Sequence, residues 1–189
     1  KGFVISNLSN LKFLEGYKSN FEIIGNSSLN IFNNYSIKEC AEYGINKVTL
    51  SRELSKTELE EILKYNLDID TELIVYGTLP IMSCNYCFLG KSNMCYPECK
   101  RLCSDDNSYY LKDRLGFKFR IVSDNIQSIT SIFNSKILSI SPKTFNVSSV
   151  RIDILDENVT TINKIIETVK SGKSFEGKEY TSGRLEEEK

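Results

Sequence analysis

Four short apolar stretches recur along the first 79 residues, and each is followed by a segment of helical character. They are "GFVIS" (Gly2 to Ser6), "FEIIG" (Phe21 to Gly25), "KVTL" (Lys47 to Leu50) and "TELIVYG" (Thr71 to Gly77). Between them, Leu8, Leu11 and Leu14 suit a helical stripe, and "SIKECAEYG" reads as a helix from about Ser36 that Gly44 stops. Ser55 and Glu58 have the spacing of a capping box, in front of a helix that buries Leu59, Ile62 and Leu63. Strand starts near residues 3, 21, 47 and 72 describe consecutive β/α units, which predict a parallel sheet with covering helices. Four units are half of an eight-fold TIM-like (β/α)8 barrel, which takes about 250 residues. The chain opens on Lys1-Gly2 and enters a strand at once. It reads as an excised segment, with a missing N-terminal half of the same polypeptide as its first expected partner.

After Gly77 the rhythm breaks. The predicted division is 1–79 as half-barrel units, 80–107 as a cysteine-rich loop, and 108–189 as a small mixed α+β C-terminal extension. Pro80, Gly90 and Pro97 predict loop and short turns in the middle part. "YYLKDRLGFKFRIV" (Tyr109 to Val122) predicts a β-hairpin turning at Leu115-Gly116, and "SKILSI" and "SVRIDIL" predict further strands. Val159, Ile162, Ile165, Ile166 and Val169 mark a helix after Asn158, with Asp156 and Glu157 complementing its dipole. From Ser171 the chain is rich in Gly, Lys and Glu and is expected to be loosely held.

The net charge of −1 gives no global attraction to nucleic acid or to a membrane surface, so any basic surface must be local. Apolar runs such as "ELIVYGTLPIM" are far too short to span a bilayer, and no signal peptide is visible, so a cytoplasmic location is expected.

The second constraint is sulfur. "MSCNYCFLGKSNMCYPECKRLC" (Met82 to Cys103) holds five of the six cysteines, and the chain has no histidine. Cys84, Cys87, Cys95, Cys99 and Cys103 follow the spacing C-x2-C-x7-C-x3-C-x3-C. Loops this short are poor disulfide staples, because a cross-link gains most by closing a long loop. They are good chelates. Thiolates suit Zn²⁺ or an iron–sulfur centre, both soft enough to prefer sulfur. A zinc site here is most simply all-cysteine, and a 4Fe–4S cluster also takes four thiolates. Spacing alone leaves the two open. Cys40, within a predicted helix, reads as core filling.

Other chemistries are thinner. Without histidine, the usual Ser-His-Asp, Cys-His and H-E-x-x-H arrangements cannot be built from these residues. Glu53 follows the third strand and is a candidate acid or base at the barrel mouth, or else a solvated loop carboxylate. Lys100, Arg101, Lys112, Arg114, Lys118 and Arg120 are interleaved with Tyr109, Tyr110, Phe117 and Phe119 close to the thiols. Cations beside aromatics suit single-stranded RNA, although Asp105, Asp106 and Asp113 dilute the patch. The plainer reading is a hairpin with snorkelling charges.

"ELIVYGTLPIMSCNYC" (Glu72 to Cys87) resembles the signature of the U-thirty-two peptidase family, the collagenase-like proteases, through Glu72, Gly77, Leu79 and Cys87. "SLNIFNNYS", "VTLSREL", "YYLKDRLGFKF" and the closing "YTSGR" fall in the family's order. The resemblance implies a TIM-like barrel with a cysteine-bound iron–sulfur centre. It implies either peptidase activity, for which the family is named, or hydroxylation of a tRNA or rRNA base or of a quinone precursor without dioxygen. Carried over by position, Cys87, Cys95 and Cys99 match three cluster ligands. The fourth is Cys103 by continued spacing, then Cys84, then a cysteine of the N-terminal half. The chain departs from the family pattern at Pro80, at Gln127 and at Gly183-Arg184. A non-catalytic module holding structural zinc is the third expectation.

Overall fold

The computed structural model describes residues 1–16, 20–65, 67–91, 98–104, 108–124, 126 and 129–185. Its strands are β1 (Gly2–Ile5), β2 (Glu22–Gly25), β3 (Lys47–Thr49), β4 (Asp70–Gly77), β5 (Pro80–Cys84), β6 (Tyr109–Lys112), β7 (Lys118–Asp124), β8 (Ile129–Phe133), β9 (Ile137–Ser139), β10 (Ser149–Ile152) and β11 (Tyr180–Thr181). Its α-helices are α1 (Asn10–Phe13), α2 (Asn34–Glu42), α3 (Lys56–Leu63), α4 (Phe88–Lys91) and α5 (Val159–Lys170). Contacts divide the chain into two compact units, one of residues 1–77 with 138–189 and one of residues 78–137. This division differs from the three-part reading of the sequence. The hairpin falls with the cysteine segment, and the last fifty-two residues fall with the β/α units.

In the first unit β1, β2, β3, β4 and β10 pair in that order, and every pairing among them is parallel. The four expected parallel strands are therefore present, the first three each followed by a helix and β4 by strand β5, and "SVRIDIL" supplies a fifth parallel strand. Local signals set the helices. Asn33 caps α2 through Oδ1, which accepts the Ser36 N–H at 2.9 Å, so the helix starts two residues before Ser36. Gly44, at φ 80°, follows its end. The capping box of α3 is complete: Ser55 N–H donates to Glu58 Oε2 at 2.7 Å, and Glu58 N–H donates to Ser55 Oγ at 3.4 Å. One face of the sheet carries Ile23, Val48, Leu50 and Val75. With Ile37, Leu59 and Ile165 from α2, α3 and α5, these are all at most 2% exposed and form the core. Cys40 is buried as core filling, and burial together with Glu39 pushes its thiol pKa up.

The tail is a correction. Residues 171–185 are not loosely held, because polar and aromatic contacts fasten them. Phe175 N–H donates to Ser139 Oγ at 2.7 Å, and the Phe175 ring packs against Tyr76 and Tyr180. β11 then extends the sheet beside β9, which itself runs antiparallel to the end of β4. The dipole reading of α5 is also refined. Asn158 caps it by accepting from Thr161 N–H at 2.9 Å, while Glu157 Oε2 accepts from the Leu155 and Asp156 N–H groups ahead of the helix.

The second unit is a four-stranded antiparallel sheet in the order β5-β8-β7-β6. The hairpin is as expected, with Leu115-Gly116 in its turn and Gly116 at φ 92°. The start of the cysteine segment is not. Residues 80–84 form strand β5 rather than loop, because "SITSIF" supplies β8 as a partner. Pro80 is tolerated there since it opens an edge strand. The chain is thus a mixed α/β protein with one mainly parallel and one antiparallel sheet.

Candidate functional site

Cys84, Cys87, Cys99 and Cys103 are free thiols. Cys95, the remaining expected ligand, lies outside the described residues, as do Gln127, Asp105 and Asp106. Cys87 is exposed in front of α4, and its sulfur accepts the Gly90 N–H at 3.3 Å. Such N–H to sulfur bonds are the outer-shell contacts that orient a ligating thiolate. Cys99 is exposed, and Cys103 lies half-buried in the 3₁₀ turn Leu102–Ser104. Between these two, Arg101 has φ 54°, a left-handed conformation that costs a non-glycine residue about 1–2 kcal/mol. Cys84 is engaged differently, within the β5–β8 ladder and with its thiol directed to Thr130 O at 3.8 Å. Among the described residues, no three Cys, Asp or Glu side chains form a metal-holding group. The donor chemistry still fits a thiophilic centre: three half-buried or exposed free thiols, Cys87, Cys99 and Cys103, and no competing nitrogen ligand.

Strand alternation sorts the hairpin residues onto two faces. Tyr109, Leu111, Phe119, Ile121, Thr130 and Cys84 share one face by register. Tyr109 Oη donates to Leu102 O at 3.3 Å, so the turn carrying Cys103 lies on that face. Tyr110, Lys112, Lys118 and Arg120 share the other. These hairpin cations therefore lie on the sheet face opposite Cys84. The period of two that fixes their exposure also turns them away. Lys112 and Lys118 are exposed and directly opposite one another, and Arg120 lies 5.6 Å from the Tyr110 ring centroid while donating to Ile121 O. Asp113 Oδ1 accepts the Leu115 and Phe117 N–H groups inside the turn. Arg114, Lys100 and Arg101 are exposed.

In the first unit, the sheet face opposite the core carries a polar tier beside the apolar Ile24, Ile74 and Tyr76, although faces of parallel sheets are commonly apolar throughout. Continuing the register, Asn26, Thr49, Glu72 and Ser149 form one tier across β2, β3, β4 and β10. Thr49 Oγ1 donates to Glu72 Oε1 at 2.8 Å, and Ser149 Oγ is buried with no hydrogen-bond partner among the described residues. Above this tier Arg151 donates from Nε to Asp153 Oδ1 at 2.5 Å and from Nη1 to Asn26 Oδ1 at 2.8 Å. Asn26 Nδ2 in turn donates to Ser6 Oγ at 3.0 Å. Arg52 is half-buried on the loop after β3. Burial lowers its pKa, Asp153 and Glu53 oppose that shift, and Arg151 adds to it. Glu53 itself is exposed, with its N–H on Ser51 Oγ at 3.3 Å. Reading for cysteines and cations in loops missed Asn26, Arg52, Arg151 and Asp153. The available signal was an Arg and an Asp two apart inside the apolar stretch "SVRIDIL".

No described helix is long and apolar enough to cross a membrane. Comparison with curated proteins finds no match, and comparison with solved structures finds none either. The family model described as Peptidase family U32 matches residues 1–160. That span holds all five parallel strands, the whole antiparallel sheet and the cysteine segment, and on it the chain belongs to peptidase family U32.

Proposed function

We propose that this protein is an iron–sulfur-dependent RNA-modifying enzyme that hydroxylates a tRNA or rRNA base, built on the second half of a TIM-like barrel. The observation that carries the reading is the free thiols of Cys87, Cys99 and Cys103, the first two exposed, with Cys87 sulfur already accepting an N–H. Cys87, Cys95, Cys99 and Cys103 would hold a 4Fe–4S cluster. Cys84 is the weaker fourth ligand because its thiol is engaged by Thr130 O. Strain at Arg101 agrees with a segment shaped for ligation, since strained backbone clusters at functional sites. When bound, the cluster supplies electron transfer or a coordination position for an oxygen donor. The hairpin face of Tyr110, Lys112, Lys118 and Arg120 offers phosphate contacts and one stacking ring to single-stranded RNA.

The barrel reading is supported by the sequential parallel order β1-β2-β3-β4-β10, with the polar tier on one face and the apolar core on the other. Phe3 and Val4 are exposed on the edge strand β1, as a strand awaiting a neighbour from the N-terminal half would leave them. The peptidase reading has less to draw on, because these 189 residues supply no histidine to pair with a nucleophile and a base would have to come from the N-terminal half.

Metal and sulfide analysis of protein handled without oxygen tests the proposal. Iron and acid-labile sulfide in equal amounts, lost on Cys87→Ala, are expected. Colourless protein without either would sink it. Stoichiometric zinc, with unfolding on chelation, would convert the segment into a structural site.

A further inference from the structure

Between β6 and β7 the chain turns through Asp113, Arg114, Leu115, Gly116 and Phe117, and the turn is closed on itself. Asp113 Oδ1 accepts the Leu115 and Phe117 N–H groups at 2.9 Å each, Asp113 O accepts Gly116 N–H at 3.2 Å, and Asp113 N–H donates to Phe117 O at 3.1 Å. Gly116, at φ 92°, supplies the left-handed residue that such a turn requires. A tip whose backbone donors are already paired can leave water for an apolar setting at little cost. It is also fixed before it meets a partner, which lowers the ordering cost of binding.

The side chains of the tip are sorted as well. Leu115 at the apex is 71% exposed, and Phe117 beside it is 46% exposed. A lone exposed apolar residue is ordinary, but these two stand among charges mostly of one sign. Between 109 and 120 the cations are Lys112, Arg114, Lys118 and Arg120, against the single carboxylate of Asp113. Charge complementarity selects an anionic partner. Lys112 and Lys118 share one face of the hairpin with Tyr110 and Arg120, and by continued alternation Phe117 falls on the other, with Tyr109 and Phe119. That second face also carries the turn of Cys103, through Tyr109 Oη on Leu102 O. A strand whose phosphates lie on the lysine face can bring a base to the thiol side around the hairpin end, where Leu115 stands.

Resting on the RNA-modifying reading above, we infer that Leu115 is a wedge that enters between two stacked bases of the RNA, while Lys112 and Lys118 hold flanking phosphates and Phe117 stacks on the displaced base. Enzymes that act on a base take it out of the stack, and apolar side chains inserted between base steps are one means of doing so. The substrate class is then a folded RNA whose target base is stacked, with a single-stranded segment alongside for the lysine face.

An RNA stem–loop carrying 2-aminopurine at the base step next to its loop tests this on the whole chain, because that base brightens when it leaves the stack. Wild-type protein is expected to raise the fluorescence severalfold at saturation. Leu115→Ser should hold it near that of the free RNA even when all the RNA is bound, and Leu115→Met should restore the rise. Lys112→Gln should weaken binding, read by anisotropy, and leave the saturated fluorescence as in wild type. Phe117→Ser should weaken binding roughly tenfold, as for a lost stacking ring. Equal urea midpoints check that the variants fold. The readout needs neither iron nor turnover, so protein without iron that still brightens the base would sink the cluster and leave the wedge standing. RNA bound by wild-type protein without brightening, or brightening unchanged in Leu115→Ser, would overturn the wedge and leave the RNA reading. No binding of the stem–loop would overturn both. Attachment to phosphatidylserine vesicles in place of the RNA, lost in Leu115→Ser, would assign the apex to an anionic membrane surface and overturn the inference.

Discussion

Arg151 Nη1 reaches Asn26 Oδ1 at 2.8 Å, although β3 and β4 lie between their strands in the sheet. Three inter-strand steps amount to roughly 14 Å in a flat sheet. Side chains stand roughly perpendicular to a sheet, so on a flat one these two would run parallel and not meet. The contact therefore reports a sheet curled toward its polar face. Asn26→Leu removes the acceptor of Arg151 and the donor to Ser6. A loss of about 1–3 kcal/mol is expected, as for a hydrogen bond to a charged group. Urea unfolding should give a lower midpoint at unchanged slope.

Gly77 gives a second test of the same closeness. Its φ of 148° is a region that side-chain-bearing residues avoid, and an added Cβ would meet Asp153 O at 2.6 Å. Gly77→Ala is expected to cost about 1–3 kcal/mol, with a matching drop in Tm. A neutral result would mean that β10 does not pack on β4 as described.

Tyr76 supplies a pH dependence. Burial first, then the Glu157 carboxylate and Tyr180, push its phenol from about 10 up to about 12. The folded state then keeps a proton that the unfolded state gives up. Its stabilising contribution is fully present below pH 10 and is lost as pH rises from about 10 through about 12. Spectrophotometric titration of the ten tyrosines should show a late step to which Tyr76 contributes, beside the raised Tyr43 and Tyr180. The Tyr76→Phe protein should lose that contribution and show a shallower alkaline decline in stability.

Lys112 and Lys118 face each other across the hairpin, a like-charge pair that weakens a β-ladder by about 0.2–1 kcal/mol. Lys118→Gln should therefore raise stability by a few tenths of a kcal/mol. If the face binds single-stranded RNA, the same change should weaken binding and reduce the salt slope by roughly 0.7 per lost phosphate contact. Stability and affinity moving in opposite directions would mark a surface kept for an anionic partner. Unchanged affinity would remove the hairpin from the RNA reading.

Periodicity and caps made much of the parallel unit legible. The apolar runs that became β1 to β4, the Ser55–Glu58 box and the α5 stripe are local patterns, set by alternation and by backbone donors within a few residues. β8 was overlooked: its Ile, Thr and Phe suit a strand, but the run is short and its partners β5 and β7 are fixed only by the sheet. The tail was misread for a related reason. Its composition suggests looseness, but Phe175 finds Tyr76 and Tyr180, a contact spanning about a hundred residues that no local window contains.

By itself the sequence determined which residue types are available: thiols in one segment, no imidazole, and β/α units in series. Those follow from residue chemistry and from the short-range geometry of helices and strands. Only the tertiary structure decided which side chains share a face and which strand ends meet. It turned Lys112, Lys118 and Arg120 away from the Cys84 face, and it brought Arg151 over two strands to Asn26. Such pairings depend on register and sheet curvature, which arise when distant segments pack and are written in no single stretch of chain.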